Sequence, residues 1–253
     1  MEVVLIGSGN VATILGRLII QKGHTVKQVI GHTSQNAVLL AKTLSAEYAS
    51  LTEITNRANI YIIAVKDHAV SLLADQLRLP GKLVVHTSGA LQKDILSKIS
   101  DQFGVMWPLQ SIRKEIDYLP EIPFLVDGNK ESVIEDIVGF IHKLEQPVTV
   151  ANDTERAKMH IAAVFASNFV NHLYALAEDF ALKEHLDYSL LLPLIKETAN
   201  RLEHNSPAMV QTGPAIRGDI VTIEKHMRIL ESYPYLRKLY LRMSNSIMQS
   251  PYK

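Results

Sequence analysis

Residues 3–12, Val-Val-Leu-Ile-Gly-Ser-Gly-Asn-Val-Ala, constrain this chain more than any other stretch. Four apolar residues, three of them β-branched, read as a buried strand. They run directly into Gly7-x-Gly9-x-x-Ala12 and then into an apolar helical pattern. The first glycine permits a tight turn, the second lets the backbone approach a diphosphate, and Ala12 is small enough for the helix to lie close on the strand. A pyrophosphate held by Gly7, Ser8, Gly9, Asn10, Val11 and Ala12 would sit at the helix N-terminus, where free N–H groups and the helix dipole favour an anion. The same letters could mark an ordinary strand-to-helix turn, but the strand before them and the helix after them favour dinucleotide binding.

The pattern then alternates. Thr25–Ile30 reads as a second strand, and the end of such a strand normally carries an acidic residue for the 2′-hydroxyl of NAD. No Asp or Glu stands between Glu2 and Glu47. Gly31-His32-Thr33-Ser34 follows instead, ahead of a helix from about Gln35. Two hydroxyls, an imidazole and a helix N-terminus make a nest for a 2′-phosphate, so NADP is preferred and NAD is the alternative. Ser34 could also simply cap the helix. Residues 60–65 form an apolar strand with Ala64, Val65 and Lys66 at its carboxyl end, and Asp67 reads as the cap of a helix over 69–79. Residues 82–86 form a further strand that ends in His86-Thr87-Ser88-Gly89. Strands alternating with helical stretches imply βαβ units and a parallel sheet, with ligands beyond the carboxyl ends of its strands. The second of these ends is either part of the cofactor site or a turn whose Thr or Ser caps a helix over 91–100. Trp107, the one tryptophan, ends a short strand on the same side and reads as a pocket wall or a core aromatic. Strands over 123–126 and 147–150 flank a helix over 131–144 and close the sheet.

From Asn152 the period changes from 2 to 3.6. Asp153 reads as the cap of a helix reaching about Lys183, on which His160, Ser167 and Asn171 share a stripe, with Asn168 adjacent. Alanines, Val164 and Phe165 between them predict a buried face, whose polar groups need partners in the protein or in a ligand. A metal site is a poor fit, because His160 has no second His or carboxylate four residues away. Further helices are expected over 189–203, over 220–231 with Asp219 as cap, and after Pro234. Arg217 stands ahead of the Asp219 cap, and its guanidinium could hold a carboxylate with two parallel bonds or pair with an acid of its own domain. The apolar stripes of this half predict a homodimer.

The chain thus reads as an α/β protein. A Rossmann-like dinucleotide-binding domain, a parallel sheet with helices on both faces, covers 1–151, and an all-α substrate and dimerisation domain covers 152–253. Its 26 Lys+Arg balance 26 Asp+Glu, which leaves no electrostatic footprint for nucleic acid or an anionic membrane. It has no cysteine, so neither a disulfide framework nor a thiolate nucleophile, and a cytoplasmic location is expected.

Taken in order, Gly7-x-Gly9-x-x-Ala12, Ala64-Val65-x-Asp67, His86-Thr87-Ser88-Gly89-Ala90, Pro108-Leu109-Gln110, Ala163-Val164-Phe165-Ala166-Ser167-Asn168 and Thr212-Gly213-Pro214-x-x-Arg217-Gly218-Asp219 resemble the NADP oxidoreductases that join a Rossmann-like domain to helical domain of unknown function 2520. The architecture is more distantly similar to pyrroline-5-carboxylate reductase and the β-hydroxyacid dehydrogenases. The resemblance implies nicotinamide binding, a helical domain of the 6-phosphogluconate dehydrogenase C-terminal-like type, and a dimer. Relatives commonly carry a histidine where this chain has Trp107, and Ser-Arg where it has His32-Thr33. The lysine of the β-hydroxyacid dehydrogenases falls near Lys158, but the Asn one turn later is Ala162 here. The reading that follows is an oxidoreductase passing a hydride between nicotinamide and a small carbonyl, imine or hydroxy acid held between the two domains. His160 is the first candidate proton donor, because an imidazole titrates near neutrality, and His86 is the second. Ser88, Ser167 and Asn168 would orient substrate or the carboxamide, Trp107 and Asn171 would line the substrate site, and Arg217 would hold a carboxylate. A non-catalytic NADP(H)-binding regulatory or scaffolding protein is the alternative, and a deazaflavin hydride partner is a third.

Overall fold

A computed structural model describes residues 1–31 and 35–250. One sheet organises the first part, in the order β3-β2-β1-β4-β5-β6-β7-β8. Its strands are β1 (Glu2–Ile6), β2 (Thr25–Ile30), β3 (Glu47–Ala49), β4 (Ile60–Ile63), β5 (Leu83–His86), β6 (Gln102–Pro108), β7 (Phe124–Gly128) and β8 (Val148–Val150). All neighbours pair parallel except β6 and β7, which run antiparallel in register Trp107 to Leu125. The order reverses on either side of β1, and this reversal opens a crevice beyond the carboxyl ends of the strands.

The alternation of side chains along β1 builds a core on each face. Val3 and Leu5 pack with α1 (Asn10–Gln21), α2 (Gln35–Thr43) and α4 (Glu131–Lys143), while Val4 and Ile6 face α3 (Asp67–Gln76). Ile14, Leu15, Leu18 and Ile19, spaced for one helix face, bury α1 against the first of these cores.

Local pattern alone did not foretell several features. β3 has only three residues and no alternation to detect. Asp67 occupies the first helical position of α3 rather than its cap, and Lys66 precedes it in extended conformation. The helix expected over 91–100 is a single 3₁₀ turn, Lys93–Leu96. Its start is diverted because the Leu91 carbonyl, which an α-helix would use, accepts from Arg156 instead, while the Gln92 carbonyl accepts from His86 and, as a 3₁₀ bond, from the Ile95 amide. Asp153 is likewise not a cap. Asn152 accepts from the amides of Thr154 and Glu155 while Glu155 returns a bond to the Asn152 amide, so Asn152 caps α5 (Asp153–Ala163) and Asp153 is free for other partners.

The long helix is continuous in path but not in geometry, since α5 passes through a π-helical turn, Val164–Phe169, into α6 (Val170–Lys183). The chain divides into two compact units inside this turn, Met1–Asn168 and Phe169–Lys253. α5 therefore groups with the sheet, to which Asp153 and Arg156 tie it. The second unit holds α6, α7 (Leu192–Asn200), α8 (Pro214–Arg217), α9 (Ile220–Ile229) and α10 (Pro234–Met248). Gly218, at φ +68°, ends α8, and the Asp219 carboxylate caps α9 through the Thr222 amide at 3.0 Å, as the sequence suggested. Among the described residues no helix is long and apolar enough to cross a membrane.

Candidate functional site at the carboxyl ends of the strands

The turn after β1 is built for close approach. Gly7 donates its amide to Ile30 O at 2.8 Å and adopts φ +125°, and a Cβ there would lie 2.3 Å from the Ala64 carbonyl oxygen. Only glycine fits. Gly9 is different, being in ordinary extended conformation with no protein atom within 4 Å of where a Cβ would stand. It leaves an open approach at the start of α1, where the Asn10, Val11 and Ala12 amides point outward, with no acidic residue in the first turn to oppose an anion. Ala12 is fully buried at the helix–sheet contact. The Asn10 side chain donates to Ile112 O and Arg17 to the carbonyls of Ile116 and Asp117, fastening the segment after β6 along α1. A diphosphate fits this cradle: the close glycine forms the turn, and the open glycine and free amides face the ligand side.

Beside the turn lies a cavity of about 750 Å³. Gly7, Ser8, Ile30 and Gly31 form one wall and Val65, Ala69, Leu72 and Leu73 the other, with Tyr48, Ser50 and Thr52 at the rim. An apolar slot with hydroxyls at its edge suits a heteroaromatic ring and its sugar. Glu53, next to Thr52 in the chain, is engaged in capping the Ser50 turn. His32, Thr33 and Ser34, the expected 2′-phosphate nest, lie outside the described residues. Lys66 is exposed at the start of α3.

At the carboxyl end of β5, His86 is fully buried. Its Nδ1 accepts from the Ser88 amide at 3.2 Å, and its Nε2 donates to Gln92 O at 3.4 Å. Burial, and then the charge of Arg156, lowers its pKa from 6.5 to about 4. A neutral imidazole bonded at both nitrogens shapes the loop and has no free position for a proton in transit, so the expectation of His86 as proton donor gives way to a structural role. Thr87 donates its amide to Ile63 O. Ser88 Oγ accepts from the amides of Ala90 and Leu91, both at 3.1 Å, so the Ser reading as a turn former holds, and its hydroxyl proton is left to donate elsewhere.

Trp107 is buried at the end of β6, and a Cβ on Gly89 would come within 2.6 Å of its ring, so indole and turn are in close contact. His160 stands edge-on to the same indole, ring centroids 5.5 Å apart at 83°. The structure thus brings together Ser88, Gly89, Trp107 and His160, residues drawn from 72 positions of sequence. Ser167, half-buried, and Asn168, exposed, fall in the π turn, an irregularity that recurs at functional sites. The buried face expected around them is not buried within this chain: His160 and Asn171 are exposed, and Ile161 between them is 62 % exposed. The apolar stripe is real, but its cover is not supplied by the elements around it. Asn171 and Arg217 belong to the second unit, where Arg217 is exposed at the end of α8.

Sequence reasoning missed a network next to this cluster. Lys93 Nζ binds Asp127 at 2.8 Å and Asp153 at 3.8 Å, and Arg156, 1 % exposed, binds Asp153 at 2.6 Å and the Leu91 carbonyl. Burial pushes the Asp153 carboxyl up, but the Arg156 bond and charge, with Lys93, outweigh it and hold it below the ordinary range. The only local signal was Arg156 one helical turn before His160.

Comparisons with known proteins agree with this geometry. Residues 2–89 match the family described as NADP oxidoreductase, coenzyme F420-dependent, and residues 122–247 match a domain of unknown function, DUF2520. Over 98 % of both chains, the structure is similar to a "putative NADP oxidoreductase" from Bacteroides fragilis, with 35 % identity and a TM-score of 0.90. At fold level it resembles a reductive aminase from Aspergillus terreus in complex with NADPH, with 13 % identity over 97 % and 92 % of the two chains and a TM-score of 0.68. It also resembles 1-pyrroline-5-carboxylate reductase from Streptococcus pyogenes, with 11 % identity over 99 % of both chains and a TM-score of 0.66. No curated protein matches the chain.

Proposed function

Since this chain belongs to the NADP oxidoreductases that carry a Rossmann-type sheet and the helical domain of unknown function, we propose that it transfers a hydride between NADP and a small carbonyl, imine or hydroxy acid, with His160 as the proton donor. The observation that carries this reading is the edge-on pair of His160 and Trp107 beside the Ser88–Gly89 turn, at the strand ends where a nicotinamide bound to the glycine cradle would lie. Bound NADPH supplies the hydride, and the chain supplies position and a proton. Gly7, Ser8, Gly9 and the amides of Asn10, Val11 and Ala12 hold the diphosphate. Ala64, Val65 and Thr87 line its path, and the Ser88 hydroxyl donates to the carboxamide or to the substrate.

Trp107 closes one side of the substrate site and holds the imidazole by its edge. His160, being exposed, gives its proton to the substrate oxygen or nitrogen as the carbon accepts the hydride, and regains it from solvent. Ser167 and Asn168, at the end of the same unit, orient the substrate. Several fold neighbours are named as enzymes of C=N reduction, which puts imines first in a substrate screen.

The second unit supports a homodimer. Among the described residues its buried apolar side chains are Ala181, Ala215, Ile223 and Leu230, while Leu182, Leu186, Leu190 and Leu194 are 58 to 75 % exposed. So thin a core with so much uncovered apolar surface is what a second copy would cover. The catalytic reading is tested by His160→Ala in a screen of imines and carbonyls with NADPH. Turnover should fall about a hundredfold or more while NADPH affinity stays within about twofold. Undiminished turnover would refute the assigned role.

A further inference from the structure

Arg156 is the largest fully buried side chain among the described residues, and it uses its guanidinium sparingly. One nitrogen, Nη2, donates to both the Leu91 carbonyl and Asp153, whereas Nε and Nη1 are buried with no hydrogen-bond partner. As a device for stability this is poor. Desolvated donors without acceptors cost free energy, and replacing such a group with an apolar side chain of similar volume is often neutral or stabilising. What the arrangement does achieve is geometric. The segment from Ser88 to Lys93 has little regular structure, and side chains from elsewhere hold it: His86 the Ser88 amide and the Gln92 carbonyl, Arg156 the Leu91 carbonyl, Asp127 and Asp153 the Lys93 ammonium.

We propose that Arg156 is a positioning residue of the oxidoreductase site, fixing from one guanidinium both the Ser88–Leu91 turn and the placement of His160 against Trp107. The contacts form a closed circuit. Arg156 binds Leu91, two residues from Gly89, and Gly89 touches the Trp107 ring. Trp107 meets His160, which lies one helical turn beyond Arg156 on the same face of α5. Anchoring Arg156 to the turn therefore sets the rotation of α5 about its axis, and with it the approach of the imidazole to the indole. The functional meaning rests on the reading of His160 and Ser88 as site residues. The geometric claim can be measured without any substrate.

Trp107 is the only tryptophan, so the fluorescence lifetime of the full-length protein reports its surroundings alone. Five proteins are compared: wild type, Arg156→Met, Arg156→Lys, His160→Ala and the double variant Arg156→Met/His160→Ala. Arg156→Met should unfold cooperatively yet move the Trp107 lifetime most of the way to the His160→Ala value. Adding His160→Ala to Arg156→Met should then change it little, the signature of two coupled residues. The Ala90 and Leu91 amides held by Ser88 should exchange roughly tenfold faster or more in Arg156→Met. Arg156→Lys, able to reach one acceptor at a time, should restore part of both signals.

A wild-type lifetime together with wild-type exchange in Arg156→Met, whatever its melting temperature, overturns the proposal. Should Arg156→Met not fold, Asp153→Asn is read in the same way. It removes the carboxylate that orients the guanidinium and leaves Lys93 its partner Asp127, so an unchanged lifetime there overturns the proposal too. If His160→Ala keeps full turnover while the lifetimes behave as stated, the proton-donor role fails and the positioning role stands.

Discussion

The two glycines of the first turn should respond oppositely to the same methyl group. At Gly7 an added Cβ would lie 2.3 Å from the Ala64 carbonyl oxygen and 2.8 Å from its carbon, both backbone atoms that cannot swing away, and the backbone sits at φ +125°. A left-handed non-glycine residue costs about 1–3 kcal/mol and overpacking a further 1–3 kcal/mol, so Gly7→Ala should lose roughly 2–6 kcal/mol. That is a large part of the roughly 5–15 kcal/mol that keeps a domain folded. At Gly9 the same methyl meets no protein atom and the backbone is unstrained, so Gly9→Ala should stay within about 0.5 kcal/mol of wild type in stability. Its methyl would instead stand where the diphosphate approaches, and NADPH affinity should fall by roughly 10- to 100-fold, or about 1.4–2.7 kcal/mol. Urea unfolding of the apo-proteins and calorimetric titration with NADPH separate the two effects. If Gly9→Ala unfolds early, or binds NADPH as wild type does, the cradle is not where the geometry puts it.

Three further outcomes are expected. His86 binds its proton less readily folded, at about pH 4, than unfolded, near 6.5. Stability should therefore be full above about pH 6.5 and fall by roughly 3 kcal/mol as the pH drops towards 4, because the unfolded chain takes up the proton first. His86→Gln should flatten this slope in denaturant titrations across the range, and an equal slope in the variant would remove His86 as its source. Asp153, held below the ordinary carboxylate range, contributes stability above its unfolded pKa and loses it as the pH falls through the folded value. Asp153→Asn should accordingly lose its deficit relative to wild type in strong acid, as acid-unfolding curves will show. Light scattering at micromolar concentration should give twice the chain mass, and charged substitution of Leu190, 75 % exposed, should shift it towards the monomer. A strict monomer in the wild type would end the dimer reading.

The parts of the fold carried by local pattern were legible. β1, its glycine turn and α1 are set by consecutive residues, β2 begins and ends where its β-branched run does, and the Asp219 cap follows from its place before an apolar period. What escaped was decided at long range. The helix expected over 91–100 loses its first carbonyl, that of Leu91, to Arg156, which stands 65 positions away, and only the 3₁₀ turn Lys93–Leu96 forms. Asn152 and Asp153 are both natural caps, and the requirement of Arg156 and Lys93 for a carboxylate explains why Asp153 serves them. The helical stripe was correctly apolar, but period cannot say what covers a stripe. Sequence placed Trp107 and His160 on separate elements and named each as a site residue, yet nothing in their spacing of 53 positions foretells that the rings touch.

The most direct test of the central claim uses Trp107 as an internal probe for nicotinamide. Bound at the glycine cradle with its reduced ring beyond the ends of β5 and β6, NADPH would lie beside the one indole of the chain and accept its excitation energy. Titration of the protein with NADPH should quench Trp107 strongly while nicotinamide emission rises, and Gly9→Ala should need more cofactor for the same effect. Absence of NADPH and NADH binding, or binding that leaves Trp107 emission unchanged, would contradict the account.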